Sequence, residues 1–166
     1  MSRHPNVINK EDLEWKTSGS GDRFLSDRKQ LAGLVGAKDL GCSMFRVPPG
    51  KTAFPNHYHY ANEEGIYILE GRGTMRLGED RVKVGPGDYI AMPTGPHHSH
   101  QLINDSQEDL VYLCISTMKS PDVVGYPDSQ KMGMIAGSAP GGPNTQDRIA
   151  KFFHEDSDVD YFEGET

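Results

Sequence analysis

An all-β sandwich or barrel is the fold class that the sequence predicts, on three observations. From Leu40 onward, short apolar stretches are broken by glycine and proline at intervals of about eight to twelve residues, the spacing of successive short strands. Where a stretch is long enough to read, as in Arg81-Val-Lys-Val84, apolar and polar residues alternate with period two. No amphipathic helix of useful length interrupts these stretches.

The elements follow in order. Residues 1–38 are polar and irregular, with a flexible-looking Thr-Ser-Gly-Ser-Gly at 17–21, and read as an N-terminal arm that Trp15 and Phe24 anchor to the core. Strands are predicted over residues 40–47, 65–69, 74–77, 81–84, 89–92, 100–103 and 110–116. Their stops are Pro48-Pro49-Gly50, Gly71-Arg72-Gly73, Gly78-Glu79-Asp80, Gly85-Pro86-Gly87-Asp88 and Pro93. The Gly78-Glu79-Asp80 stop suits a hairpin turn. The barrel is expected to span 39–118. Residues 119–166 read as a tail: Pro-, Gly- and Ser-rich and loop-like to about 147, then a short helix over 147–154, then an acidic end. Five apolar residues of that tail (Ile149, Phe152, Phe153, Tyr161 and Phe162) are many to leave in water, so the tail is expected to pack on its own barrel or on a sister subunit.

Composition narrows the function. A chain of 166 residues suffices for one domain with a real core. The net charge of −7 argues against nucleic acid or an anionic membrane as partner, since both reward clustered Lys and Arg. No apolar run approaches the roughly 20 residues of a membrane-spanning helix, and the N-terminus lacks a signal-peptide core, so a cytoplasmic location is expected. Cys42 and Cys114 sit in apolar stretches and are expected as free buried thiols. Gly50-Lys51-Thr52 is not a phosphate-binding loop, because Phe45 stands where its upstream glycine belongs.

The chemistry-bearing residues are histidines. His57 and His59 stand two apart, so in an extended segment they share a face, as two ligands of one ion must. Glu64 has the wrong parity for the same strand, so a bend at Ala61-Asn62 must bring it back; the adjacent Glu63 should face the other way. A fourth ligand must come from His97, His98 or His100. Imidazole and carboxylate together suit iron, manganese, nickel, copper or zinc.

Gly50, six residues, His57-Tyr58-His59, four residues, Glu64, six residues, Gly71 resembles the first motif of the cupin superfamily. Gly87, five residues, Pro93-Thr94-Gly95, a histidine and then Asn104 resembles the second. Spacing from Gly95 favours His98 and spacing to Asn104 favours His100. His100 is preferred, because parity is rigid within a strand whereas the loop at Gly95-Pro96-His97 can absorb two extra residues. The resemblance covers roughly residues 40–117, and Tyr126-Pro127-Asp128-Ser129 resembles a subgroup of small bacterial cupins labelled mannose-6-phosphate-isomerase-like.

The resemblance implies a double-stranded β-helix, the jelly-roll barrel, with an irregular N-terminal arm and a C-terminal tail. It implies one divalent metal ion (Fe, Mn, Ni or Zn) held by His57, His59, Glu64 and His100, in a pocket where Ile66, Ile68, Met75 and Leu102 share the ligand faces. His98 is then the candidate for proton transfer. A metal-dependent isomerase or dioxygenase acting on a small oxygenated substrate is expected, or else a non-catalytic metabolite- or metal-binding cupin, in either case as a homodimer. Tyr58, Tyr60 and Tyr67 read as packing residues and Arg46 as solvent-facing.

Overall fold

The computed structural model describes residues 3–165. Among them the chain forms thirteen strands: β1 (Lys16–Ser20), β2 (Phe24–Gln30), β3 (Leu40–Val47), β4 (Tyr58–His59), β5 (Glu64–Glu70), β6 (Gly73–Leu77), β7 (Asp80–Val84), β8 (Tyr89–Met92), β9 (His100–Ile103), β10 (Leu110–Thr117), β11 (Asp122–Tyr126), β12 (Lys131–Ala136) and β13 (Ile149–His154). The helical residues are four short 3-10 turns.

The strands assemble as a six-stranded antiparallel sheet in the order β1-β2-β3-β10-β5-β8, a three-stranded sheet β7-β6-β9 and a four-stranded sheet β13-β12-β11-β4. This is a jelly-roll arrangement whose sheets are open at their edges. One apolar core joins the layers: Phe45, Val47, Ile66, Ile68, Leu110 and Tyr112 from the large sheet meet Met75 and Leu102 from the small one, all buried. The inward parity of β5 puts Ile66 and Ile68 in the core while Tyr67 between them stays exposed.

Two motif residues have plain structural work. Gly71 turns the chain out of β5 at φ +76°, and a Cβ there would run into the backbone carbonyl of Asp109. Asn104 is fully buried; its Nδ2 donates to the carbonyls of Val47 (2.7 Å) and Glu108 (2.8 Å) while its Oδ1 accepts from Ser106 N (3.0 Å). It ties the turn before β10 to the end of β3.

The termini carry more regular structure than their composition suggests. Within the N-terminal arm, β1 and β2 form a hairpin, and β2 extends the large sheet by pairing with β3. Trp15 packs against it: the Lys29 ammonium lies 4.6 Å from its ring centroid and the Arg46 guanidinium 4.8 Å. Arg46 also holds Asp27 at 2.6 Å. The tail holds β11 and β12 where a loop was expected. The helix expected over 147–154 is instead strand β13, paired with β12 from Lys131↔His154 to Ala136↔Ile149. The spacing of Ile149, Phe152 and Phe153 suits a helix face, but the ladder offered by β12 satisfies this backbone instead. Ile149, Phe152, Phe153, Tyr161 and Phe162 are all exposed, so the tail does not cover them with its own barrel. Both cysteines are free, and no helix among the described residues is long and apolar enough to cross a membrane.

Candidate metal centre

Backbone pairing fixes where the histidines point. His57 and His100 are bridged antiparallel and exchange both hydrogen bonds, His57 N to His100 O at 3.1 Å and His100 N to His57 O at 2.8 Å. Residues paired this way stand on the same face. His59, two positions on, keeps that face and is held by β11 through the pair Val124↔His59. Glu64 opens β5 after the bend expected at Ala61-Asn62. Asn62 locks the bend: its Oδ1 accepts from Lys119 N (2.7 Å) and Thr117 Oγ1 (3.1 Å), and its Nδ2 donates to Lys119 O (3.0 Å) and Asp122 Oδ2 (2.8 Å). Glu63 faces solvent.

The imidazoles converge. Oε2 of Glu64 lies 4.0 Å from His57 Nε2, 3.7 Å from His59 Nε2 and 3.2 Å from His100 Nε2. His57, His59 and Glu64 each offer a ligand atom within 4.8 Å of the others. Each Nδ1 points outward to an acceptor: His57 to Pro55 O (2.8 Å), His100 to His98 O (2.9 Å) and His59 to Asp122 Oδ2 (2.6 Å). Carbonyl and carboxylate oxygens only accept, so in each ring Nδ1 carries the proton that meets the outer acceptor and Nε2 is the nitrogen that faces inward. Metal-ligating histidines have this arrangement, one nitrogen oriented by an outer acceptor and the other free for the ion. Two donor atoms each about 2.1 Å from one ion sit about 3 Å apart, so small side-chain movements would bring this set to ligating distance. The residues present fit a divalent ion.

Electrostatics agree with the geometry. Burial would push the Glu64 carboxyl up, but the hydrogen bond from His100 and the charges of His59, His57 and His100 bring it down to about 2. Burial and the neighbouring His100 bring His57 down to about 3, so its ring stays neutral. At His59, burial works downward and is outweighed by the bond to Asp122 and the charges of Glu64 and Asp122, which raise it. Burial pushes the Cys114 thiol, 4.0 Å from Glu64 Oε1, well above its usual range.

The cluster forms part of the wall of a cavity of about 510 Å3 lined mainly by apolar side chains, among them Phe45, Phe54, Ile66, Leu102 and Val124. Of the four residues expected on the ligand faces, Ile66 and Leu102 line it, whereas Ile68 and Met75 are fully buried in the core and do not. Tyr126 also lines it, stacked on His57 with ring centroids 6.1 Å apart. The 3-10 turn Pro96–His98 takes up the two residues that separate the competing spacings, and His100 enters β9 facing Glu64. His98 reaches the cluster through its carbonyl only. Its ring is exposed and does not line the cavity, so the proton-transfer role expected of it has no geometric support. Arg46 is paired with Asp27 and does not line the cavity. Sequence reasoning missed Asp122, Tyr126 and Arg28, because the first two lie in a segment read as loop and the third in an arm read as irregular.

The family model described as Cupin domain matches residues 43–116, from β3 to β10. Over 89 residues the chain is 33% identical to quercetin 2,3-dioxygenase of Bacillus subtilis, a match spanning 51% of this chain and 26% of that protein. The curated relatives it matches are each covered over less than half of their length. Among solved structures, the chain is similar to one from Acidithiobacillus ferrooxidans provisionally named a sugar phosphate isomerase, at TM-score 0.73 and 24% identity over 89% of this chain and 92% of that one. It is similar also to a sugar phosphate isomerase of the cupin superfamily from Silicibacter pomeroyi, at TM-score 0.77 and 20% identity over 91% and 94%. At these identities the likeness is one of fold. Jelly-roll topology, motif spacing and the family-model match agree that residues 43–116 carry a cupin domain.

Proposed function

We propose that the chain is a metal-dependent enzyme acting on a small oxygenated substrate, with one divalent ion (Fe, Mn, Ni or Zn) held by His57, His59, Glu64 and His100. The convergence of three Nε2 atoms on one carboxylate oxygen, at the wall of a largely apolar cavity, carries this reading. A bound divalent ion supplies Lewis acidity toward a vicinal pair of substrate oxygens, and iron adds one-electron chemistry toward dioxygen. The chain's own residues orient and shield. The outer acceptors on Nδ1 hold the imidazoles in place, and the apolar walls exclude water, which strengthens every charge interaction inside.

A dioxygenase-like reaction is the first choice, supported by the 33% identity to a dioxygenase over 89 residues. An isomerase-like reaction is the second, supported by the fold-level likeness that extends over nearly the whole chain. A non-catalytic metabolite- or metal-binding role has its own support: among the described residues, the cavity wall carries no histidine or carboxylate beyond the four ligand candidates. Elemental analysis of protein purified without chelator comes first, followed by oxygen uptake with the Fe(II)-loaded protein and ketose–aldose interconversion under nitrogen. Oxygen uptake with a catechol or flavonol selects the first reaction and anaerobic interconversion the second. Ligand binding without turnover selects the binding role. We propose further that the exposed aromatic residues of β13 meet a second copy of the chain; sedimentation should then give twice the 18.3 kDa chain mass.

A further inference from the structure

The cavity has a second polar pole. Arg28 on β2 lies in the register row Arg28↔Phe45↔Tyr112↔Ile68, whose last three members are buried in the core. Its guanidinium sits 5.7 Å from the Phe45 ring centroid and lines the cavity that His57, His59, Glu64 and His100 also line. Nε donates to Ser43 Oγ (3.0 Å) and Nη2 to the Gly141 carbonyl (3.0 Å). A guanidinium has five N–H donors, so three remain. Nη1, which has no partner, is not sealed in the protein, since the buried polar atoms without a partner among the described residues are Asn56 Oδ1, Ser138 Oγ and Arg148 Nε, and Arg28 lines the cavity.

Arg28 also lacks a counter-charge. Arg46 and Arg76 pair with Asp27 and Asp128, but Arg28 forms no ion pair among the described residues, in a chain of net charge −7. A half-buried cation against apolar walls is costly unless an anion meets it. Burial lowers the Arg28 pKa, and no carboxylate offsets that effect. Lys38 lines the same cavity and adds positive potential.

We propose that Arg28 is the anion-binding end of this cavity, holding the carboxylate or phosphate of a small amphipathic substrate whose oxygenated end reaches the His57, His59, Glu64 and His100 cluster. The inference rests on reading that cluster as the metal-bound end of a substrate site. The register row of Arg28 reaches β5 at Ile68, three strands or about 14 Å across, and Glu64 lies four residues or about 13 Å along β5 from there, a span of about 19 Å on a flat sheet that sheet curvature and side-chain reach shorten. A body of several carbons between the two polar ends fits the apolar lining.

Calorimetric titration of the full-length, zinc-loaded protein with hexanoate, hexyl phosphate and hexan-1-ol tests this. At least one anion should bind tenfold or more tightly than the alcohol, and which anion does so identifies the group. Arg28→Met should remove that preference, leaving the alcohol's affinity and the zinc content unchanged. Arg28→Lys, which keeps charge without the fork, should retain part of it. His57→Ala should lose zinc yet keep the Arg28-dependent preference. The proposal is overturned if Arg28→Met keeps the preference, or if it weakens alcohol and anions alike, since Arg28 would then only strap the Gly141 segment. It is overturned also if none of the anions outbinds the alcohol. Zinc retained by His57→Ala would instead sink the ligand assignment and leave the Arg28 result standing.

Discussion

Asp122 is fully buried yet charged, and its two oxygens are used up: Oδ2 accepts from His59 Nδ1 and Asn62 Nδ2, and Oδ1 from Ala61 N at 2.9 Å. Those bonds hold it below the usual carboxylate range against the opposing effect of burial. A single side chain therefore orients one ligand candidate and fixes the bend that delivers another. Asp122→Asn replaces an acceptor by a donor on one side and sets an amide N–H against the N–H of Asn62 or Ala61. Metal affinity should fall about 10- to 100-fold, the usual loss when a ligand's outer partner is removed, as read by competition against a chromogenic chelator. His57→Ala and His100→Ala remove proposed ligand atoms themselves and should leave little bound metal while the far-ultraviolet circular dichroism stays that of the β fold. Full metal content in both alanine variants would refute the ligand set.

At the scale of elements, the site depends on one very short strand. β4 has two residues, and its paired neighbour is β11, through Val124↔His59 and Gly125↔Tyr58. Gly125 is glycine because a Cβ there would collide with the Tyr58 ring. Gly125→Ala should push β11 off β4, cost about 1–3 kcal/mol in urea unfolding as overpacked sites do, and weaken metal binding, because His59 and Asp122 stand on the two separated strands. Unchanged metal affinity in a destabilised Gly125→Ala protein would show that β4 holds His59 without β11. The same region marks the limit of what the sequence reveals. Strands β3 and β5–β10 could be read almost to the residue, because a glycine or proline closes most of them and their inward residues alternate cleanly. That His100 rather than His98 faces Glu64 was legible too, since strand parity constrains it and the 3-10 turn absorbs the excess. The pairing partners of β4 were not. β11 and β12 carry glycine in their interiors, Gly125 and Gly133, which reads locally as loop. β13 has helical spacing that only the ladder from β12 overrides. The side chains that orient or complete the cavity, Asp122, Tyr126 and Arg28, stand on elements whose pairing is decided across the sheets.

For the molecule as a whole, these shifts make stability depend on pH with a definite sign. His57 is depressed from 6.5 to about 3, first by burial and then by His100, so between those values the unfolded chain binds more protons there than the folded one. Its contribution is full above pH 6.5 and is withdrawn as the pH falls. Glu64, depressed from 4.5 to about 2, acts in the same direction at lower pH: present above 4.5, lost as the pH falls toward 2. His59, raised above 6.5 chiefly by Asp122, has the opposite sign; its contribution is present below 6.5 and fades as the pH rises through its raised value. The protein stripped with chelator should therefore lose Tm as the pH is taken from 6.5 to 4.5, through His57, and lose it further below 4.5 as Glu64 joins. His57→Ala should flatten the first of these limbs and leave the second. Saturating zinc should steepen the loss in the wild-type protein, because the ion and protons compete for the same inward lone pairs and the ion binds the folded chain. The check is a series of thermal melts at constant ionic strength across this pH range, for both proteins, with chelator and with zinc. Parallel wild-type and His57→Ala curves in chelator would mean that His57 is not buried in neutral form, and the inward-facing lone pair on which the centre depends would go with it.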